Sequence, residues 1–272
     1  MTTINDPSEP RRSADQGGSG RKRLLPILAI GAAVLAGLLW FFLIRDTSAA
    51  DVNTDEAAEA RQEAIDEVAS PEASSPAVND GVEGTWTIDT SIGTFGDACL
   101  TDVCDTTFVG FRIDEELASV GAKTVVGRSP GVSGTMAISG TSIESVDVLV
   151  DMTQLITDTS GRTGALRGQS IETSAFPEAS FVLTEPIDLG TLPADGEAIT
   201  VLATGDFTIH GVTRTETIDL TAELNGNVIV AFGQLGPVLL ADYDIDLPSA
   251  AVVLSVEDNA MIELQLFFTK SS

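Results

Sequence analysis

Cations, imidazole and thiol are scarce in this chain. Its 272 residues carry 14 Lys and Arg against 41 Asp and Glu, with one His and two Cys, for a formal net charge of −27. An acid excess of this size repels a phosphate backbone, which excludes a nucleic-acid-binding function. Two cysteines make neither a disulfide-dense scaffold nor a four-cysteine zinc site. A single histidine excludes any centre that needs two imidazoles from one copy. No metal and no cofactor are therefore expected. Phosphate-cradling loops are missing as well, because Gly131-Val132-Ser133-Gly134 is not followed by Lys and Ser or Thr. Yet 43% of residues are hydrophobic, too many for an acidic disordered chain. Part of the molecule must bury a large apolar surface.

The charge is unevenly spread. Residues 1–23 hold five basic and three acidic side chains, a net of +2, and everything from Arg45 onward carries −29. Between them, residues 24–44 read LLPILAIGAAVLAGLLWFFLI, with no charge. A helix of this length rises roughly 30 Å, enough for the hydrocarbon core of a bilayer. A single transmembrane helix is predicted, with Pro26 tolerated in its first turn and Trp40, Phe41 and Phe42 near the far interface. Arg21-Lys22-Arg23 assigns the 1–23 tail to the cytoplasm and the rest of the chain to the outside of the cell membrane. A cleaved signal peptide is the alternative, with small residues at Ser48-Ala49-Ala50; the length and aromatic end favour a retained anchor. Ala29, Ala33 and Gly37 form a small-residue stripe that chance composition of such a span explains more simply than helix pairing.

Residues 45–80 are rich in Asp, Glu, Ala, Ser and Pro, with ten acids from 46 to 80. They predict an acidic linker, extended or partly helical, whose helix-compatible piece is 56–69 and which Pro71 and Pro76 terminate. A solvated tether holding the next domain off the membrane is the expectation.

From 81 to 272 the texture is strand, turn, strand. Period-two alternation is clearest at 146–152, 218–224 and 262–268, and shorter runs at 86–89, 108–113, 135–138, 181–184, 201–209, 228–232 and 239–247 are separated by turn residues. About ten antiparallel strands without intervening helix-period segments predict an all-β barrel or sandwich, and a closed barrel of this size commonly encloses a ligand cavity. The stretch 153–175 breaks the pattern and reads as a loop that can hold a short helix.

The chemistry-bearing residues are few. Cys99 and Cys104, with four residues between them in an exported domain, favour a local disulfide over a metal pair. His210 precedes Gly211 in a strand-turn-strand context; with no nucleophile motif beside it, a turn role is favoured over catalysis. Carboxylates fall on alternating strand positions and are expected on a solvated outer face. The apolar residues at inward-facing positions can wall a site for a long lipid tail: Phe111, Ile113, Met136, Val148, Val150 and Phe176 in the first half of the domain, and Phe181, Phe207, Ile209, Leu220, Leu264 and Leu266 in the second. Core packing alone also accounts for most of them. Arg162 and Arg167, two of seven cations beyond residue 80, are the candidates for pairing with a phosphate head group, with simple pairing to neighbouring acids as the alternative.

Several segments resemble one family in order and spacing. Trp86-Thr87-Ile88-Asp89, Val109-Gly110-Phe111-Arg112-Ile113 and Val132-Ser133-Gly134-Thr135-Met136-Ala137-Ile138 look like its opening strands. The Arg162 to Arg167 loop, Ala175-Phe176-Pro177-Glu178-Ala179-Ser180-Phe181 and above all Gly205-Asp206-Phe207-Thr208-Ile209-His210-Gly211-Val212-Thr213-Arg214 continue the match, so the region is similar to the YceI-like family from about 84 to 270. The resemblance implies an extended, lipocalin-like antiparallel β-barrel that binds polyisoprenoid or related amphiphilic lipids in the bacterial periplasm or outside the cell. Departures are visible: Thr90-Ser91-Ile92 stands where relatives commonly have a His-Ser pair, and Arg162-Thr163 replaces Arg-Asp. The expected function is a membrane-anchored, non-enzymatic extracytoplasmic protein whose ligand is an isoprenoid or fatty-acyl lipid, with oligomerisation left open. An envelope interaction or stress-response module with a solid core is the competing expectation.

Overall fold

The structure, a computed structural model, describes residues 48–69, 81–117, 121–247 and 253–271; the basic tail 1–23, the expected span 24–44 and the 70–80 end of the expected linker lie outside them. Among the described residues no helix is long and apolar enough to cross a membrane. Helix α1 (Asp55–Ala69) leads into thirteen antiparallel strands: β1 (Gly84–Ile88), β2 (Phe108–Leu117), β3 (Gly121–Ser129), β4 (Val132–Ser139), β5 (Ser142–Asp151), β6 (Ile156–Thr157), β7 (Glu178–Leu183), β8 (Ile187–Asp188), β9 (Ala198–Ile209), β10 (Val212–Asn225), β11 (Val228–Leu239), β12 (Val253–Val256) and β13 (Asn259–Lys270). Short helices α2 (Ala98–Thr101) and α3 (Ser160–Ala165) lie in loops, the latter running into a π turn at Leu166–Ser170.

Eight strands close a ring in the order β1-β4-β5-β7-β9-β10-β11-β13, sealed by the β1–β13 pairing. The alternation leaves a barrel or a sandwich open; the closed ring is the lipocalin-like barrel that the family resemblance implies, with the short strands β6, β8 and β12 raising the number above ten. Strand β13 pairs β1 through Phe268–Lys270 and β2 through Met261–Gln265 on the same edge, so β2 and β3 branch from the ring at β13 and extend the cavity wall. The pleat puts Ile199, Val201, Ala203, Phe207 and Ile209 of β9 inside. On the outside, Thr204 bonds Thr217 at 2.9 Å and Thr208 bonds Thr213 at 2.8 Å across to β10. The two-residue turn joining these strands is His210-Gly211, with φ of 53° and 75°, the left-handed pair that suits the twist of a tight hairpin.

The expectation of a solvated tether does not hold for residues 48–69. Helix α1 forms almost where predicted, but Ala57, Arg61, Ala64 and Ile65 fall on one face and are buried, while Glu59, Glu63 and Glu67 face water. Ala64 and Ile65 pack with Ile92, Val228, Val230 and Phe267 on the outer wall of the barrel. The stripe escapes a hydropathy reading because two of its four residues are alanines and one is an arginine. Cys99 and Cys104 are disulfide-bonded and pack with Val52 and Phe108 beside it.

Candidate functional site

A cavity of about 490 Å³ runs inside the barrel. Of the residues expected in its wall, Phe111, Ile113, Met136, Val148, Val150, Phe181, Phe207, Ile209, Leu220, Leu264 and Leu266 all line it. Period two explains this agreement, since each sits on the inward parity of its strand. Two glycines keep the aromatic walls flat. Phe111 lies over Gly127 of β3, and Phe181 over Gly205 of β9; an added Cβ would come within 2.3 Å and 2.5 Å of the respective rings. A side chain at either position would drive a ring toward the lumen.

Phe176 is not in the wall. It follows the loop rather than a strand, and its ring packs on the His210 imidazole at 4.2 Å and against Gly211. His210 itself is buried, its Nδ1 within 3.1 Å of the Tyr243 carbonyl and its Nε2 within 3.2 Å of a Glu172 carboxylate oxygen. The ring thus sits between two acceptors on neighbouring loops and ties the turn to them through its N–H. The Tyr243 hydroxyl donates to Glu216 at 2.8 Å, and burial with this contact pushes its pKa above the ordinary phenol value.

The two arginines separate. Arg162, whose backbone N–H caps onto Thr159 at the start of α3, lines the cavity and pairs with Glu115 at 2.6 Å and with Asp158. Arg167 does not line it; its Nε donates to the Leu155 carbonyl at 2.8 Å. Five positions separate the two, and the π turn after α3 carries the second away from the lumen. Asp158 also takes an ion pair from Lys123 at 3.0 Å. Burial raises the Asp158 pKa, but hydrogen bonds and charge from Arg162 and Lys123 outweigh it and hold the carboxyl below its usual range.

Several wall residues were not singled out from the sequence. Glu115 continues the inward parity of Phe111 and Ile113 along β2, so the alternation itself contained the signal. Leu189, Leu192 and Pro193 come from a loop with no periodicity to read, and Ile171 and Ser170 from the irregular turn after α3. Strand directions place the ends of the cavity. Glu115, Thr157, Thr159, Arg162, Ser170 and Asp246 gather at the end of the β9–β10 turn, while Val82, Leu189, Leu192, Pro193 and Leu224 close the other, where Glu223 is the charged residue. The cavity is an apolar sleeve with a polar end. Among the described residues, no group of three or more His, Cys, Asp or Glu is placed to hold a metal ion.

Known proteins share this architecture. A polyisoprenoid binding domain from Saccharophagus degradans, implicated in plant cell wall breakdown, superposes with a TM-score of 0.52 at 18% identity, over 69% of this chain and 98% of that one. A UPF0312 protein of Vibrio parahaemolyticus is 29% identical over 163 residues, 57% of this chain and 82% of the relative. A second, from Vibrio campbellii, is 30% identical over 128 residues, 46% of this chain and 64% of the relative. Residues 86–268 match the YceI-like domain, from Trp86 of β1 to Phe268 of β13 and so all of the ring but the outer ends of those two strands, and the chain belongs to that family.

Proposed function

We propose that this protein is a membrane-anchored extracytoplasmic carrier that holds an isoprenoid or similar long-chain lipid inside its barrel and does no chemistry on it. The observation that carries the reading is the roughly 490 Å³ sleeve, walled by aliphatic and aromatic side chains with its polar groups gathered at one end. Its volume falls within the range of about 300–1,000 Å³ typical of small-molecule sites. An amphiphile fits such a space tail first, with its head among the polar groups. The polyisoprenoid-binding relative of the same fold supports an isoprenoid tail. The uncharged 24–44 segment and its basic flank support the anchor, and the Cys99–Cys104 disulfide supports an oxidising compartment. A solid-core interaction module would have filled its barrel with its own side chains, and the open sleeve argues against it.

The test is lipid extraction and mass spectrometry on the full chain purified in a neutral detergent. A prenyl or acyl lipid should co-purify in stoichiometric amount, and Ala203→Phe, which plugs the lumen at a buried wall position, should lose it while the protein stays folded. If no lipid co-purifies and no prenyl or acyl chain can be loaded, the carrier reading fails.

A further inference from the structure

Residues 48–69 take away most of the slack expected of a tether. Their path over the outside of β13 follows from their contacts. The Ala49 carbonyl accepts from Arg112, which stands opposite Met261, and Asp51 accepts from Gln234, opposite Glu263. Further on, Arg61 bonds Gln265, and Ala64 and Ile65 pack with Phe267. Strand β13 starts at the end of the sleeve that holds the β9–β10 turn, so the chain comes onto the barrel from this polar end, its mouth, and runs toward the other. The start of the path is firmly held: Arg128 donates to the Ala50 carbonyl, the Ala50 N–H donates to the Asp102 carbonyl, and Ala49 and Val52 are buried. Residues 45–47 are all that separates Ser48 from the uncharged segment 24–44. The four peptide steps from Ile44 to Ser48 reach about 14 Å at full extension.

The mouth is also where the cavity meets the surface. Five residues that line it are exposed, and four of them, Thr159, Gly161, Asp246 and Leu247, are at this end. Leu239 and Leu254 are exposed on the same rim: Leu239 pairs with Asn259 at the start of β13, and the neighbours of Leu254 in β12 pair with Glu116 and Leu117 at the tip of β2. From Arg112, which holds Ala49, β2 climbs five residues to Leu117, about 17 Å. The rim thus stands about as far from Ala49 as the short connection can stretch. Single exposed leucines are ordinary, but three around one opening form an apolar edge. Exposed Glu116, Asp242, Asp244, Glu257 and Asp258 share this rim, so an anionic surface would repel it.

We propose that the barrel docks mouth-first on the bilayer that its own chain crosses, with Leu239, Leu247 and Leu254 in the head-group layer, so that a lipid tail passes between bilayer and sleeve without crossing water. The docking rests on the membrane-anchored reading above. It needs little affinity of its own, because a short connection holds the rim at an effective concentration of about a millimolar or more. The rim carboxylates set its preference for bilayers of zwitterionic or uncharged lipid.

The full chain reconstituted in phosphatidylcholine vesicles tests this, with a fluorophore coupled to an encoded non-natural residue at Ser255 on the rim or at Ala194 at the opposite end, both exposed. Lipids with a nitroxide on the head group should quench the label at Ser255 about fivefold more than that at Ala194, since the 12 residues of β9 set the two ends about 40 Å apart. Leu239→Asp with Leu254→Asp, at exposed positions that folding does not use, should lower the Ser255 quenching about threefold. An insert of about thirty Gly and Ser residues between Thr47 and Ser48, with a span of roughly 30 Å, should do the same. Phosphatidylglycerol should weaken the quenching at low salt, and added salt should restore it. Equal quenching of both labels, or stronger quenching at Ala194, in protein that floats with the vesicles overturns the docking and leaves the anchor standing. A dimer in neutral detergent that the two Asp substitutions dissociate gives the rim to a second copy and also overturns it. Chain that stays behind when the vesicles float overturns the anchored reading and the docking together.

Discussion

Strand β13 has two buried faces of opposite character. Leu264, Leu266 and Phe268 point into the sleeve, where part of the space is left open. Glu263, Gln265 and Phe267, one residue out of phase, point outward and are 0% exposed, sealed under residues 48–69 and the disulfide loop. Glu263 accepts from Arg128 at 2.6 and 2.8 Å and from Arg112 at 2.9 Å. The guanidinium of Arg128 also reaches the carbonyls of Cys99 and Ala50, and Arg112 reaches that of Ala49. Gln265 donates to the carbonyls of Cys104 and Thr106 and accepts from Arg61. Arg61 also donates to the Val52 carbonyl at 2.7 Å and stacks 3.6 Å over Phe232. Burial pulls the Arg61 pKa down to about 10, with Glu223 opposing it, so the charge is kept at neutral pH.

The difference lies in what each face must accomplish. Apolar contacts are non-directional, so the inward face can leave room for a guest without an unmet bond. Buried charges tolerate no vacancy, so the outward face binds one particular backbone path and fixes residues 48–69, a strap across the barrel, and the disulfide loop to the barrel.

The largest test of this contrast compares neighbours on β13. Glu263→Ala strands two guanidiniums under the strap and should cost about 3–5 kcal/mol. Leu264→Ala faces space that is already open and should cost about 2 kcal/mol, the low end for such truncations. Urea midpoints measure both, and equal losses would erase the distinction between the faces. Removing the disulfide with Cys99→Ala and Cys104→Ala should cost about 2 kcal/mol, as suits a short loop. Limited proteolysis should then cut within 48–69 sooner than in the barrel, because two carbonyls that anchor Arg128 and Gln265 lie on that loop.

The smallest effect belongs to the mouth. Asp158 has a depressed pKa when folded, so its contribution is present above the ordinary Asp value of about 4 and is lost as the pH falls through the lower folded value. Proton-linked loosening of α3, followed by NMR of residues 158–165, should therefore appear only below about pH 4 and leave the strap in place.

Much of the inner wall could be read in advance. Met136, Val148, Leu220 and Leu266 sit on one parity of well-marked strands, and parity needs no knowledge of partners. Glu115 obeys the same rule against the general expectation that a carboxylate faces water. Phe176 misled for the opposite reason: it is apolar, but it lies in a loop, where parity has no meaning. The expectation of carboxylates on a solvated outer face was right for Asp206 of β9 and Asp219 of β10. It was wrong for Glu263, because nothing in the local pattern of β13 says that residues 48–69 will cover it.

By itself the sequence determined the partition of charge around an uncharged segment, the all-β character of 81–272, the pairing of its two cysteines and the inward parity of its best-marked strands. These are local or compositional properties, set within a few residues by the pleat and by hydropathy. Only the tertiary structure decided which strands close the ring, which arginine reaches the sleeve and which polar face is sealed. Those outcomes depend on contacts such as Arg61 with Gln265, 204 positions apart, and no local periodicity carries information over that distance.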